Sequence, residues 1–100
     1  MKIYISGKIN GDHPEKVREE FLKAENLLLQ KGYNDIVNPS YFEDCTSPDW
    51  EKFLAHCMAE LENCHGIYML DNWRERFNSR RELTRAMEKR LRIMFGPEDL

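Results

Sequence analysis

Four short runs rich in β-branched and aromatic residues recur along this chain, at residues 2–6, 35–38, 67–70 and 91–95, with helix-like stretches between them. The first stretch carries Val17, Phe21, Ala24 and Leu28, with Leu27 beside them. The second carries Trp50, Phe53, Leu54, Cys57, Met58 and Leu61, and the third, from about residue 79 to 89, turns Leu83, Ala86 and Met87 inward. These residues fall at helical spacing, whereas the runs between them are too short for helices. Strands that alternate with helices call for a parallel sheet, because each parallel connection needs a crossover element. Right-handed crossovers leave few arrangements. The expected fold is a small flavodoxin-like or Rossmann-like three-layer α/β sandwich with a mainly parallel sheet of about four strands, formed as one domain over residues 1–100.

Local signals set the expected boundaries. Asp12-His13-Pro14-Glu15 offers an N-cap aspartate, an early proline and a glutamate at the third helical position. Gly32 supplies a left-handed stop for that helix, and Pro39 ends the second strand. Residues 40–47 lack a clear period and read as a loop, a candidate lid or partner surface. Ser47-Pro48 is expected to open the next helix.

A chain of 100 residues supports one core. No apolar run approaches the roughly 20 residues of a membrane span. The N-terminal Lys2-Ile3-Tyr4-Ile5-Ser6-Gly7 is too short for a secretory signal and reads as a strand, so the expected location is the cytoplasm. Cys45, Cys57 and Cys64 are odd in number and without a regular framework, which favours free thiols. No metal or cofactor is expected: His56, Cys57, Cys64 and His65 lack zinc-site spacing, and Ser6-Gly7 lacks the rest of a dinucleotide or phosphate-loop fingerprint. Cys45 follows the acidic Glu43 and Asp44, a poor setting for a reactive thiolate.

Charge is uneven. Residues 11–62 hold twelve acids and five bases, whereas residues 74–92 hold eight bases and three acids. The basic segment either grips a phosphate through forked hydrogen bonds or forms a solvated face that pairs with the acidic helices. In a parallel sheet, ligands lie beyond the carboxyl ends of the strands. That edge gathers Ser6, Gly7, Lys8, Asn38, Pro39, Asp71, Asn72, Trp73 and the start of the third helix, where Glu82 follows the tryptophan by nine residues.

Ile5-Ser6-Gly7, Val37-Asn38-Pro39, Cys64-x-Gly-Ile-Tyr-Met-Leu, Trp73, and Glu82 followed by Ala86 together resemble the small bacterial and phage proteins related to nucleoside 2-deoxyribosyltransferases, over nearly the whole chain. The resemblance implies that Glu82 is the nucleophile of an N-glycosyl transfer or hydrolysis on a nucleoside or its monophosphate, with Tyr4 close to it. Such chemistry passes through an oxocarbenium-like state that a carboxylate traps or stabilises. Asp71 is then the candidate proton donor, unless it pairs with Arg74 or Arg76. Asn38 and Asn72 are candidates for sugar or base hydrogen bonds and Trp73 for stacking. Arg76, Asn78 and the backbone amides of Ser79 and Arg80 are candidates for holding a phosphate.

The chain departs from this pattern at Asn78-Ser79, where relatives commonly have Gly-Ala, and at Arg76, where they have serine. His65 stands where relatives tend to carry aspartate. Ser79-x-x-Glu82 also satisfies a capping box, in which Glu82 only returns to the Ser79 amide. The second functional class is a non-catalytic nucleotide-binding module. Nucleic acid is a poor fit to a net acidic chain whose arginines lack interleaved aromatics. A homo-oligomer is expected from the resemblance, with Tyr41, Phe42 and Phe77 as candidate contacts, or as packing under the loop.

Overall fold

A computed structural model of the chain describes residues 1–9, 13–46 and 49–100, without the side chain of Thr46. Its order is β1 (Lys2–Ser6), α1 (Pro14–Gln30), β2 (Asp35–Val37), α2 (Trp50–Leu61), β3 (Gly66–Met69), α3 (Phe77–Glu88) and β4 (Arg92–Met94). The strands form one parallel sheet in the order β2-β1-β3-β4. This is the small α/β sandwich that the alternation of elements predicts. No described helix is long and apolar enough to cross a membrane.

The register explains which side chains reach the site. β1 is central, and Ser6 lies opposite Met69 on β3. Side chains alternate across a strand, so Tyr4 and Ser6 share one face while Ile3 and Ile5 share the other. Both faces are covered: all four of these residues are 1 % exposed or less. α2 packs beside α3, and right-handed crossovers put α1 on the opposite face of the sheet. The order reverses between β1 and β3, so the loops after these two strands diverge and leave a crevice at the carboxyl edge. Phe21, Leu28, Phe53, Leu61, Ile67, Met69 and Met94 fill the two apolar layers.

Several boundaries differ from the sequence expectation. His13 is the N-cap of α1 and makes no side-chain cap bond; Pro14 is the first helical residue and Glu15 the second, while Asp12 lies outside the described residues. Ser47 and Pro48 also lie outside them. Asp49 caps α2 instead, accepting a hydrogen bond from the Lys52 amide at 3.1 Å. The segment expected to be a loop contains two 3-10 turns, Pro39–Tyr41 and Glu43–Thr46, and is packed rather than free. Asn38 starts this order: its Oδ1 accepts from the Ser40 amide and hydroxyl, at 3.0 and 2.6 Å. Phe42 then stacks on His56 and meets Phe53 edge-on, which is the packing alternative; Tyr41 and Phe77 are exposed.

The third helix carries the largest correction. It begins at Phe77, two residues early, and Met87 is 60 % exposed rather than inward. Its buried face is Asn78, Ser79, Glu82 and Ala86. Apolar periodicity misorients this helix because the group that faces the sheet at its centre is a carboxylate, held by hydrogen bonds rather than by apolar contact.

At the end of α1, Gly32 has φ +95°. The Tyr33 and Gly32 amides donate to the Leu28 and Leu29 carbonyls, closing a Schellman motif. A β-carbon here meets nothing within 4 Å, so substitution tests backbone strain alone. Gly32→Ala is expected to lower stability by about 1 kcal/mol, read as a lower urea midpoint with an unchanged slope.

Candidate functional site

Tyr4 and Ser6, two residues apart on the central strand, project towards α3 and converge on Glu82. The Tyr4 hydroxyl donates to Glu82 Oε2 at 2.8 Å, and Ser6 Oγ donates to Oε1 at 2.6 Å. Glu82 itself is 4 % exposed. Each carboxylate oxygen thus receives one hydroxyl and keeps a further lone pair. This rules out the capping-box alternative: Ser79 is the third residue of α3 rather than its cap, and the Glu82 carboxylate is turned to β1.

Burial sets the acidity of this group. Desolvation pushes the Glu82 carboxyl up to about 7, and the hydrogen bonds from Ser6 and Tyr4 oppose that rise. Tyr4 is raised well above its ordinary value by burial and by the Glu82 charge. Cys57, pushed up to about 12 by burial, is a neutral thiol beside them. Glu82 is the member of this group that changes charge near neutral pH.

A cavity of about 270 Å³ opens between α2 and α3, lined by Glu51, Leu54, Ala55, Met58, Asn78, Arg81 and Glu82. α2 contributes the apolar Leu54, Ala55 and Met58 together with Glu51, and α3 contributes only polar residues. Sequence reasoning found Asn78 and Glu82 but missed the α2 wall and Arg81. Leu54 and Met58 share the helical stripe of the core, and only the spacing between α2 and α3 makes them a cavity wall.

Other expected site residues lie elsewhere. Asp71, Asn72 and Lys8 line a groove of about 550 Å³ beside α1, together with Lys16, Lys23 and Tyr68, not the cavity that Glu82 lines. Asn72 Oδ1 accepts from the Lys8 amide at 3.0 Å, which ties the loops after β1 and β3 together. Lys8 Nζ is 3.5 Å from Glu75. Gly7 lies so close to Leu70 that an added β-carbon would sit 2.5 Å from Leu70 Cδ1, so its role is close packing. Asn38 is committed to Ser40 and, through Nδ2, to Glu25 at 3.1 Å; Pro39 is buried. Trp73 packs on Phe95 with ring centroids 5.8 Å apart, and the Arg74 guanidinium lies over the Trp73 ring.

The start of α3 differs in one respect from the expectation. The Arg80 amide is bonded to the Arg76 carbonyl at 3.2 Å and so cannot receive a ligand; the amides without a helical acceptor are those of Phe77, Asn78 and Ser79. The basic run is partly structural. Arg85 and Lys89 grip Glu62 at 2.7 and 2.8 Å, which pairs α3 with the end of α2. At the opposite sheet edge His65 accepts from the Lys2 amide at 3.0 Å. All three cysteines are free thiols.

The raised pKa of Glu82 makes stability depend on pH with a definite sign. The unfolded carboxyl releases its proton near its ordinary value of 4.5, and the folded one only near 7. Between these values the native state binds more protons, so stability falls as pH rises through that window and levels above it. The loss is about 3 kcal/mol. Glu82→Gln cannot ionise and is expected to gain on the wild type by that order between pH 5 and pH 8, measured by urea unfolding of both proteins. An unchanged difference would mean that Glu82 titrates normally.

A family model described as a domain of unknown function (DUF4406) matches residues 1–95. Comparison with curated proteins and with solved structures gave no match. The match spans every strand and helix described above, including the strand that presents Tyr4 and Ser6 and the helix that presents Glu82, and the chain therefore belongs to the DUF4406 family.

Proposed function

We propose that this protein catalyses N-glycosyl transfer or hydrolysis on a nucleoside or nucleoside monophosphate, with Glu82 as nucleophile, in the manner of the nucleoside deoxyribosyltransferases it resembles. The observation that carries the reading is the buried Glu82 carboxylate, oriented by Tyr4 and Ser6 and lining a small cavity. A structural carboxylate is rarely kept in an apolar site with two neutral hydroxyls and no cation paired to it, and strongly shifted groups of this kind concentrate where chemistry is done.

In the first step a Glu82 oxygen bonds to the anomeric carbon. The bond from that carbon to the base nitrogen breaks, its electron pair leaves with the base, and the base takes a proton from water. Asp71 lines the neighbouring groove, so it is not assigned this proton. In the second step water or an acceptor base attacks the anomeric carbon and frees the carboxylate, the two-step logic of a retaining glycosidase. Tyr4 and Ser6 hold the two oxygens in place during both steps. The apolar wall of Leu54, Ala55 and Met58 excludes water from one side, and Asn78 supplies a polar contact to the ligand. Assembly into a homo-oligomer through exposed Phe77 and Tyr41, and a cytoplasmic location, belong to the same reading.

One observation favours a second reading, a non-catalytic nucleotide-binding module: Glu82 is only 4 % exposed and both its oxygens are already engaged by Tyr4 and Ser6. The two are separated by incubating the protein with ribo- and deoxyribonucleosides and their monophosphates, with and without an acceptor base, and following base release by chromatography. Turnover that drops at least a thousandfold in Glu82→Ala is the expected result. Equal turnover in wild type and variant would remove Glu82 as the nucleophile, and ligand binding without any turnover across the panel would replace the enzyme with the binding module.

A further inference from the structure

The cavity that Glu82 lines has an exposed mouth and a buried end. Its charged liners Glu51 and Arg81 are exposed, and the Arg81 guanidinium lies over the ring of exposed Phe77. Asn78 and Glu82 are buried, 8 % and 4 % exposed. They stand four residues apart on α3, so the two side chains leave the same face of the helix with β-carbons about 5–6 Å apart. Both Glu82 oxygens are engaged by Tyr4 and Ser6. The Asn78 carboxamide makes no hydrogen bond to any described residue.

Two enclosed donors nearby, Arg76 Nε and Ser79 Oγ, also lack partners, but neither residue lines the cavity. Asn78 is therefore the described residue that offers unused hydrogen-bonding groups beside the carboxylate. A carboxamide presents two donor hydrogens and one acceptor oxygen. Buried and unpaired, it carries a desolvation cost that a ligand hydroxyl, donor and acceptor at once, removes.

Stereochemistry says which hydroxyl this is. The nucleophile attacks the anomeric carbon from the side opposite the departing base. In a β-nucleoside the base and the 5′-carbon lie above the furanose ring, so the attacking carboxylate lies below it. The 2′- and 3′-hydroxyls of ribose also project below the ring, and the 2′-hydroxyl stands on the carbon next to the anomeric one. A side chain one helical turn from Glu82 meets these hydroxyls rather than the base. At about 270 Å³ the cavity is smaller than the roughly 300–1,000 Å³ of pockets that enclose a whole drug-sized ligand, which fits a sugar ring with its base towards the mouth.

We infer that Asn78 is the specificity-determining residue of the Glu82 site, and that it selects ribose over 2′-deoxyribose by hydrogen-bonding the 2′-hydroxyl. The inference rests on the proposed N-glycosyl chemistry and narrows its substrates to ribonucleosides. A site built to bond a substrate hydroxyl rejects the analogue without it, because its own buried group is then left unpaired. A bond to the 2′-hydroxyl also strengthens as the oxocarbenium-like state forms, so the same contact serves the reaction.

Adenosine, guanosine, cytidine and uridine, with their 2′-deoxy counterparts, are titrated calorimetrically into wild type, Asn78→Ala and Asn78→Leu. The leucine variant keeps the bulk of the side chain without its hydrogen bonds. Where a base is released, the ratio of kcat/KM values replaces the ratio of Kd values. The wild type is expected to favour a ribonucleoside over its deoxy counterpart by about tenfold or more, and both variants to hold the two within about threefold. Equal affinity for the pair, a preference for the deoxy form, a ribose preference that survives both substitutions, or no binding of any nucleoside overturns the inference. Base release from deoxyribonucleosides alone, abolished in Glu82→Ala, would overturn it while leaving Glu82 as nucleophile. A ribose preference that both variants lose, without turnover, would uphold the role of Asn78 and remove the enzyme reading.

Discussion

The contact between the central strand and the third helix is the point on which the rest of the site depends. Tyr4 and Ser6 reach Glu82 only because β1 is flanked by β2 and β3, which fixes its register and turns its even-numbered residues to α3. Placed in an apolar core, the two hydroxyls and the carboxylate have no alternative partner in water. They must satisfy one another, and this determines how far α3 rotates about its own axis. Glu82 faces inward and Met87 faces out, against the preference that hydrophobicity alone would give.

This arrangement also explains why the cavity lies where it does. A helix that docks through a short hydrogen-bonded side chain leaves space on either side of it, and α2 fills only part of that space with Leu54, Ala55 and Met58. The ion pairs from Arg85 and Lys89 to Glu62 join the far ends of the same two helices. α2 and α3 are thus held together by ion pairs at one end and left open beside Glu82 and Asn78 at the other.

Burial of the carboxylate stores free energy at neutral pH, since a group that ionises near 7 when folded would ionise readily in water. Enzyme sites commonly carry such a cost, because a desolvated carboxylate is a more reactive base or nucleophile than a hydrated one. The unpartnered Arg76 and Ser79 donors add to it. Both costs fall on one helix, within six residues of each other, while the remainder of the sheet and its flanking helices are conventionally packed.

The sequence by itself determined the alternation of strands and helices, the left-handed stop at Gly32 and the apolar stripes of α1 and α2, because these depend on local backbone preference and on the period of apolar residues; Glu82 stood out through the family resemblance instead. It did not locate Asp49 as the cap of α2, the 3-10 turns after Asn38, or the outward face of Met87. Each of these is decided by a partner distant in space or by a short side-chain bond that periodicity does not register. The resemblance put Tyr4 near Glu82, but tertiary structure alone added Ser6 to the pair and put Asp71 in a different groove from Glu82. The physical reason is sheet order: the sequence shows that β1 and β3 are strands, but only their pairing sets which loops meet across the carboxyl edge and which helix closes over each face.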